Sequence, residues 1–496
     1  MRLVVILVLL VASLYSLSLK ELEEMPKSRE RDFFIWRFIE SKDTTKEDAI
    51  KASKLIFRAN GKLRSAIYKK TGINLPKRRA SKKPISKRDK ELTLNLLKQD
   101  DIYNSWLKLS TKDKLTTFNL LGRDRKLLNK KLDSSIYSEM SKYYAINSFI
   151  YRVLNENLTN LKETIFNTRP VKGNKITYNN LMKLGFKLIK QNPKQASYFF
   201  YAARVKAKDR FSADRANFWV YLSTKDKKYL NYLAQSYDYN IYKLIALDMP
   251  NKPYPKPPQI KTTNNQKPPF DIKDPIMWAR LKQKIFSKDS NLFALAKKYN
   301  YSEAIGYYSY ILNKAYKDTK QYFPIIYKDV ISKYPVDRQA LILAIAKQES
   351  RFIPASVSSS FALGLMQFMP FLVKHIANER NEKVVLEDMF DPKVSIRFAN
   401  THLNYLEKWL YNPLFVAYAY NAGIGYTRRM IRKDIFKKGE YEPYLSLELV
   451  DNPQANEYAK KVLANYVIYK MLLKSPVKIT DILNELHQPH LTDRFR

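Results

Sequence analysis

The sequence of 496 residues predicts an all-α protein that begins with a helical superhelix of solenoid type. Glycine is scarce at 10 residues and proline modest at 23, which suits helices with short connections better than a turn-rich β fold. Apolar residues recur every three or four positions over long stretches, which is the helical period. Because a single hydrophobic core stops growing at about 250–300 residues, we expect two or three domains.

The first 18 residues predict a secretory signal peptide. Met1 and Arg2 precede the run LVVILVLLVASLYSLS, which combines one positive charge, a short apolar core and small residues near its end. The apolar core is short of the ~20 residues that a membrane span needs, so an uncleaved anchor is the lesser alternative. We therefore expect a periplasmic protein with no stable membrane insertion after cleavage.

Cysteine and charge restrict the chemistry. The chain has no cysteine, which excludes disulfides and zinc–thiolate sites, and its four histidines are scattered, so we expect no metal and no cofactor. Lys and Arg number 89 against 47 Asp and Glu, a net charge of +42 that attracts polyanions such as nucleic acid or cell wall. Export argues against nucleic acid, so the densest basic cluster, between residues 77 and 88, is interpreted as a solvated loop.

Domain boundaries follow from composition. Residues 19–250 contain short amphipathic segments with brief interruptions and no fixed period, which predicts stacked helical hairpins, the superhelical domain. Residues 251–321 comprise a proline-rich linker and a small helical connector. Residues 322–475 contain the candidate chemistry, and residues 476–496 form a tail.

Glu349 is the candidate acid. In the segment YPVDRQALILAIAKQES, Asp337 is a candidate helix cap, and Ile342, Ile345 and Ala346 precede Glu349 by seven, four and three positions. Glu349 should therefore lie on the buried face near the helix C-terminus, where desolvation and the helix dipole raise the pKa of its carboxyl. A carboxylic acid that is neutral near neutral pH suits protonation of a glycosidic oxygen.

Ordered motifs around and after Glu349 carry a resemblance. AIAKQESRF at 344–352, GLMQFMP at 364–370 and AYNAGIG at 419–425 appear in order, with FDP at 390–392 and EYAKKVLANYVIY at 457–469. In these segments the sequence resembles the soluble lytic murein transglycosylases, the Slt family, whose catalytic domain is lysozyme-like. The resemblance covers about residues 322–470, whereas upstream it rests on architecture alone.

The resemblance implies a set of site residues. Glu349 matches the catalytic acid/base, while Ser358 and Ser360 match serines that hydrogen-bond near the acid and the N-acetyl group of the substrate. The remaining matches are sugar-contacting or cleft-wall positions, namely Met366, Gln367, Tyr420, Asn421, Glu448 and Tyr458. Tyr458 has the alternative role of a helix core residue, and the stretch around Glu448 lacks the family's usual Pro and Glu-Thr-Arg residues. Phe361-Ala362 replaces the family's common Gly-Ala, so Phe361 either stacks on a sugar or narrows a subsite.

The implied reaction is cleavage of the MurNAc–GlcNAc β-1,4 bond of peptidoglycan glycan strands with formation of 1,6-anhydromuramic ends. One carboxyl suffices if Glu349 acts first as acid and then as base towards the C6 hydroxyl of the same sugar. A goose-type lysozyme-like hydrolase is the nearest alternative and needs a second carboxylate, for which Glu379, Glu382, Glu387, Asp388 and Asp391 are available. A non-catalytic wall-binding scaffold and a nucleic-acid-binding solenoid are two further hypotheses. The sequence does not indicate protein partners.

Overall fold

The computed structural model describes residues 17–76 and 84–496. These residues form 28 α-helices and two 3-10 helices, with isolated β-bridges and no strand, which confirms the all-α prediction. The signal peptide, except for its last two residues, and the basic residues 77–83 lie outside the described residues. In the part of the chain that is described, no helix combines the length and apolarity that a membrane span requires.

The first four helices of the described residues have starts that are capped by side chains. Ser18, Ser28, Thr45 and Asn60 each accept a hydrogen bond from a backbone N–H in the first helical turn. The helices are α1 (Leu19–Glu24), α2 (Arg29–Glu40), α3 (Lys46–Lys54) and α4 (Gly61–Thr71).

The next eleven helices stack in the order of the sequence. Among the last five of them each helix packs against the next, which covers its apolar face. These helices are α5 (Lys87–Leu97), α6 (Ile102–Lys108), α7 (Thr111–Leu120), α8 (Ser134–Met140), α9 (Ile146–Asn155), α10 (Thr159–Asn167), α11 (Tyr178–Leu188), α12 (Pro193–Lys206), α13 (Arg210–Thr224), α14 (Lys227–Ala234) and α15 (Ile241–Asp248), with a 3-10 helix at Gly122–Leu128.

The remaining helices include the one that ends at Glu349. They are α16 (Pro275–Ile285), α17 (Leu292–Lys297), α18 (Ile305–Ala315), α19 (Lys328–Ile331), α20 (Val336–Glu349), α21 (Pro370–Glu379), α22 (Pro392–Glu407), α23 (Pro413–Ala422), α24 (Ile424–Arg432), α25 (Tyr444–Glu448), α26 (Pro453–Leu472), α27 (Ile479–Asn484) and α28 (Pro489–Thr492), with a 3-10 helix at Leu386–Phe390.

These helices divide into two compact units that are not continuous in sequence. Unit 1 contains residues 17–76, 255–434 and 451–496, and unit 2 contains residues 84–254 and 435–450. The division differs from the consecutive domains predicted from composition, because α1–α4 group with the helices around Glu349 and α25 groups with α5–α15. Contacts between residues distant in sequence decide this grouping, and composition does not report them.

The predicted helical connector is part of the core of unit 1. Trp278, Tyr307 and other residues of α16–α18 pack in one buried cluster with Ile353 and Ala355, which follow α20 directly. Gly306 allows this approach, since a Cβ at its position would lie 2.1 Å from the backbone oxygen of Phe352. The connector therefore supports the segment that leads out of the helix bearing Glu349.

Candidate active site

Glu349 is the last residue of α20, on a helix whose preceding turns are buried. Ile342, Ile345 and Ala346 are at most 1% exposed, as the apolar spacing predicted, whereas Glu349 is partly exposed. Asp337 lies in the first turn of α20 and pairs with Lys470, and the helix has no side-chain cap. Glu349 therefore lies at the half-buried end of a buried helix.

Tyr458 of α26 is the hydrogen-bond partner of this carboxyl. Its hydroxyl donates to Oε1 of Glu349 over 2.8 Å, and its side chain is buried. Burial raises the pKa of Glu349 to about 7, and the hydrogen bond from Tyr458 partly opposes that rise by favouring the carboxylate. Glu349 thus exchanges its proton near neutral pH, as the position at the buried helix end predicted.

The loop between α20 and α21 folds back on itself through two antiparallel bridges, Val357–Leu363 and Leu363–Phe368. Oγ of Ser358 accepts hydrogen bonds from the backbone N–H groups of Ser360 (3.2 Å) and Ala362 (2.9 Å). Because the oxygen serves as acceptor inside the loop, the hydroxyl hydrogen of Ser358 is the group suited to donate outwards. Ser360 is exposed at the turn, where its own hydroxyl faces solvent.

Gly364 and Gln367 shape the second half of this loop. Gly364 has φ +77°, and a Cβ there would lie 1.9 Å from the backbone oxygen of Met389, so only glycine fits. Nε2 of Gln367 donates to the backbone oxygens of Ser356 (3.1 Å) and Gly364 (2.8 Å). Gln367 therefore ties the two arms of the loop together while remaining partly exposed.

Met366 is placed differently from its prediction. The residue is 0% exposed, so its side chain cannot contact a sugar, and we withdraw that assignment. Its backbone N–H donates to Oγ of Ser395 over 3.3 Å, and its backbone oxygen accepts from the Tyr420 hydroxyl over 3.0 Å. The side chain of Met366, like that of Leu365, is buried in the core, as is usual for apolar residues. Met366 therefore contributes only its backbone to the site.

Tyr420 and Asn421 end helix α23 beside this loop. Burial, and secondarily the negative charge of Glu349, hold the pKa of Tyr420 well above its usual value, which places the tyrosine within electrostatic reach of the acid. Asn421 is partly exposed at the penultimate position of the helix. The structure therefore brings together Glu349, Tyr458, Tyr420 and the loop of Met366 and Gln367.

His402 packs on Tyr420 and did not appear among the predicted site residues. The two rings cross with centroids 5.5 Å apart, and burial, with the nearby His375, lowers the pKa of His402 to about 4. The imidazole is therefore neutral at physiological pH and supports the tyrosine ring without adding charge. A single histidine within an amphipathic helix gives no signal in the sequence that would select it. Only the structure shows that His402 contacts Tyr420 of α23.

Phe361 is buried, in contrast to both roles considered for it. It is 1% exposed, with its ring stacked on Trp36 at 5.5 Å and packed edge-on to Phe33 at 5.8 Å. Its backbone has φ +61°, a conformation that suits the glycine of the family pattern better than phenylalanine. Phe361 is thus an anchor for α2 and not a sugar contact.

Other contacts fix α2 and α4 near the same loop. Arg37 of α2 makes a two-point ion pair with Glu387, with N–O distances of 2.7 and 3.3 Å. Nδ2 of Asn60 donates to the backbone oxygen of Ser359 over 3.0 Å. The N-terminal helices therefore help to hold in place the loop between α20 and α21, residues 350–369, which we call the serine-rich loop.

Glu448 lies in unit 2, where its carboxylate is fully engaged. Arg215 donates to it over 2.6 Å, and Trp219 and Tyr242 each donate over 3.1 Å. Its side chain is 1% exposed, so the predicted sugar contact is not supported and we withdraw it. A buried carboxylate requires such partners, and Glu448 stabilises the association of α25 with α13 and α15.

The carboxylates considered as a second catalytic base mostly have structural partners. Asp391 caps α22, which has Pro392 in its first turn, and pairs with Lys273 at 2.8 Å. Glu379 is exposed at the end of α21. The other three are bound as follows: Glu382 by Arg380 and Arg397, Glu387 by Arg37, and Asp388 by the backbone N–H of Val385.

The described residues form an all-α fold. Its candidate site combines Glu349 at a helix end, the tyrosines Tyr458 and Tyr420, and a loop that requires glycine at position 364. Residues 329–442 match the family model described as the transglycosylase SLT domain. The resemblance to the Slt family is therefore confirmed over this part of the chain.

Curated relatives match a similar range. The soluble lytic murein transglycosylase of Salmonella typhimurium is 29% identical over 170 residues, which cover 32% of this chain and 25% of that protein. The protein of the same name from Escherichia coli is 27% identical over 33% of this chain and 26% of its own. Membrane-bound lytic murein transglycosylase C of Serratia proteamaculans is 34% identical over 24% of this chain and 36% of its own. The aligned part of the chain thus spans about a quarter of the length of the first two relatives.

Solved structures match over most of the chain at low identity. The lytic transglycosylase Slt of Pseudomonas aeruginosa, in an inactive mutant, has a TM-score of 0.49 and 16% identity over 90% of this chain and 74% of its own. The 70 kDa soluble lytic transglycosylase of Escherichia coli has a TM-score of 0.42 and 15% identity over 95% of this chain and 84% of its own.

Proposed function

We propose that the chain is a peptidoglycan lytic transglycosylase that cleaves the MurNAc–GlcNAc β-1,4 bond and leaves 1,6-anhydromuramic ends. The observation that carries this proposal is Glu349, a partly exposed residue whose carboxyl has a pKa raised by burial to about 7 and accepts a hydrogen bond from a tyrosine hydroxyl at Oε1. The match of residues 329–442 to the SLT domain supports the choice of substrate. We further propose that the protein acts in the periplasm, after export through its N-terminal segment.

The proposed reaction uses one carboxyl twice. Protonated Glu349 donates its proton to the glycosidic oxygen as the bond from C1 of the muramic sugar to that oxygen breaks. The Glu349 carboxylate then removes the proton from the C6 hydroxyl of the same sugar, and O6 bonds to C1. The proton count returns to its starting value and no water is consumed, so intramolecular attack replaces a second base.

The neighbouring groups fit this cycle. The Tyr458 hydroxyl stabilises the carboxylate that exists between the two proton transfers, because it donates to Oε1. The Ser358 hydroxyl, whose oxygen already accepts two backbone N–H groups, is suited to donate to the acetamido oxygen of the substrate. Gln367, Tyr420 and Asn421 remain proposed sugar contacts, and Ser360 a proposed contact at the N-acetyl region.

The hydrolase alternative is disfavoured by the carboxylates themselves. Glu382, Glu387, Asp388 and Asp391 are each engaged by a cation or a backbone N–H group, and none of these contacts includes Glu349. Burial and Tyr458 are the causes of the pKa shift of Glu349, with no contribution from a second acid. A single acid/base is therefore the simpler interpretation of the site.

Product analysis distinguishes the candidate functions. The chain lacking residues 1–18 is incubated with purified peptidoglycan, and the released ends are identified by mass spectrometry. Anhydromuramic ends, lighter than reducing ends by one water, are the expected product. Reducing ends would establish the hydrolase, and the absence of any release would favour the scaffold.

Replacing Tyr458 by phenylalanine should move the pH dependence of cleavage upwards. The acid step needs protonated Glu349, so the kcat/KM of the unmodified protein should fall as pH rises through about 7. Because the Tyr458 hydroxyl lowers the pKa of Glu349, its removal should shift that falling limb to higher pH and reduce kcat. The profile is measured with soluble glycan fragments between pH 4 and 9.

Tyr426→Phe is the matched control for this measurement. The Tyr426 hydroxyl also donates to a carboxylate, Oδ1 of Asp451, over 2.8 Å, and neither residue contacts Glu349 in the described structure. Its profile should coincide with that of the unmodified protein. A falling limb that stays in place or moves to lower pH in Tyr458→Phe would refute the assigned hydrogen bond.

A further inference from the structure

One edge of unit 2 carries a row of exposed tyrosines. At this edge α8, α12 and α14 end, and α9, α11 and α13 begin. Tyr144 is 75% exposed, Tyr201 50%, and Tyr232 and Tyr237 44% each. Large rings are seldom left exposed in a row unless they bind something, because each gains free energy when its apolar area is removed from water.

Hydrogen bonds show that the edge is continuous from one helix end to the next. The backbone N–H of Lys175 donates to the oxygen of Ser141 over 2.7 Å, which links the loop before α11 to the loop before α9. Further bonds connect the ends of α11 to α14: Lys206 Nζ to the oxygen of Asn174, Tyr178 Oη to the oxygen of Ser212 at 2.9 Å, and Arg210 to Ser236 at 2.9 Å and Tyr232 at 3.3 Å.

Each of these tyrosines has a cation over its ring. Lys175 lies 5.5 Å from the ring of Tyr144, and Arg210 lies 5.6 Å from that of Tyr237. Arg204 lies between two rings, 6.0 Å from Tyr201 and 5.8 Å from Tyr232. Such pairs are attractive at exposed sites and restrain both side chains. We call this set the tyrosine edge: Tyr144, Lys175, Tyr201, Arg204, Arg210, Tyr232 and Tyr237.

We propose that the tyrosine edge binds a glycan strand that carries carboxylates. A pyranose ring presents an apolar C–H face that packs on tyrosine, and a carboxylate pairs with Lys175 or Arg204. Arg210 already pairs with the buried carboxylate of Asp214 at 3.0 Å, so its role is to hold the ring of Tyr237. Exposed rings with two cations beside them on one edge thus match the chemistry of an anionic polysaccharide. The choice of peptidoglycan as that polysaccharide rests on the proposed function, whereas the binding chemistry does not.

The spacing of the rings favours a glycan over a nucleic acid. Tyr201 and Tyr232 lie on α12 and α14, which both pack against α13, and packed helices lie about 8–10 Å apart. Tyr144 and Tyr237 lie in the loops before α9 and after α14. Stacked bases in one strand follow each other at about 3.4 Å, so neighbouring bases would need rings that are much closer together. A disaccharide, which is two linked pyranose rings, is comparable in length to the distance between adjacent helices.

The test removes two rings and the cation they share. The variant Tyr201→Ala/Tyr232→Ala/Arg204→Gln is compared with Tyr68→Ala/Lys69→Gln, a control that removes an exposed ring and an exposed cation from α4 of unit 1. Both sets are made in the Glu349→Gln protein, so that binding is measured without cleavage. Sedimentation with purified peptidoglycan gives the affinity at several salt concentrations.

We expect at least about a tenfold loss of affinity and a weaker salt dependence in the edge variant only. Amidation of the peptidoglycan carboxylates should weaken binding of the parent protein more than that of the edge variant. Equal binding by edge variant and control would overturn the proposal. So would a loss confined to a single-stranded oligonucleotide, which would identify the edge as a nucleic-acid site.

The experiments test the proposed function and the tyrosine edge separately, so that either can be refuted while the other is retained. If the unmodified chain releases no fragments but binds peptidoglycan through the tyrosine edge, the proposed function is refuted and the edge is retained. If it releases anhydromuramic ends and the edge variant binds unchanged, only the edge is refuted. Circular dichroism of both variants confirms that exposed substitutions leave the helices intact.

Discussion

Glu349→Gln is expected to lower the rate of peptidoglycan cleavage by about ten-thousand-fold or more. Glutamine can neither donate a proton to the glycosidic oxygen nor remove one from the C6 hydroxyl, and a single general acid or base contributes about 10²–10⁴. One residue serves in both steps of the proposed reaction, so its loss affects both. Release of soluble fragments under single-turnover conditions measures the effect.

The same substitution should stabilise the fold in neutral and alkaline solution. The folded state raises the pKa of Glu349 from 4.5 to about 7 and so favours the neutral form. The contribution of this carboxyl to the free energy of unfolding is complete at pH 4 and is lost as the pH rises from 4.5 through 7. The free energy of unfolding of Glu349→Gln should therefore exceed that of the unmodified protein by on the order of 2–3 kcal/mol at pH 8 and by almost nothing at pH 4. Denaturant unfolding at the two pH values measures the difference.

Glu379→Gln is the control for both effects. Glu379 is an exposed carboxylate at the end of α21, and its replacement should change neither cleavage nor stability appreciably. Retention of cleavage within tenfold in Glu349→Gln, or an equal loss in Glu379→Gln, would contradict the assignment of Glu349 as the acid.

Phe361→Ala is expected to destabilise unit 1 by about 3–5 kcal/mol, the usual cost of removing a buried phenylalanine ring. The ring packs against Trp36 and Phe33 of α2, and its loss leaves a cavity where α2 meets the serine-rich loop. Hydrogen exchange of α2 and the loop, together with the midpoint of denaturant unfolding, measures the effect.

Glycine at this position should be less destabilising than alanine, by about 1 kcal/mol. The backbone of Phe361 has φ +61°, which glycine adopts without strain and alanine does not. This order reverses the usual preference for alanine. Phe371→Ala, which removes a ring that is 65% exposed, should have little effect on stability. An alanine variant as stable as the glycine variant would show that the backbone at this position is not strained.

Local patterns predicted much of the fold and the central residue of the site. The positions of Ile342, Ile345 and Ala346 relative to Glu349 were enough to predict a buried helix face ahead of Glu349 and a raised pKa of its carboxyl. Both properties depend on the residues of a single helix. The start of α22, where Asp391 caps the helix and Pro392 follows, likewise depends on neighbouring residues alone.

Features that depend on distant contacts were not predictable from the sequence. The burial of Phe361 requires Trp36, more than three hundred residues earlier, and nothing at either position signals the pairing. Met366 belongs to a motif, but a motif does not say which of its side chains points into the core. Glu448 resembled a cleft residue until Arg215, Trp219 and Tyr242 were found around its carboxylate.

The discontinuous course of the chain limits how this protein can be divided by gene fusion or recombination. A fragment that starts at residue 322 would keep residues 435–450 but lack Arg215, Trp219 and Tyr242, which hold Glu448. Its excised segment would expose Leu445 and Leu447 together with a carboxylate deprived of its cation. A single crossover therefore cannot exchange one unit and spare the other, because each unit is assembled from separate segments of the chain.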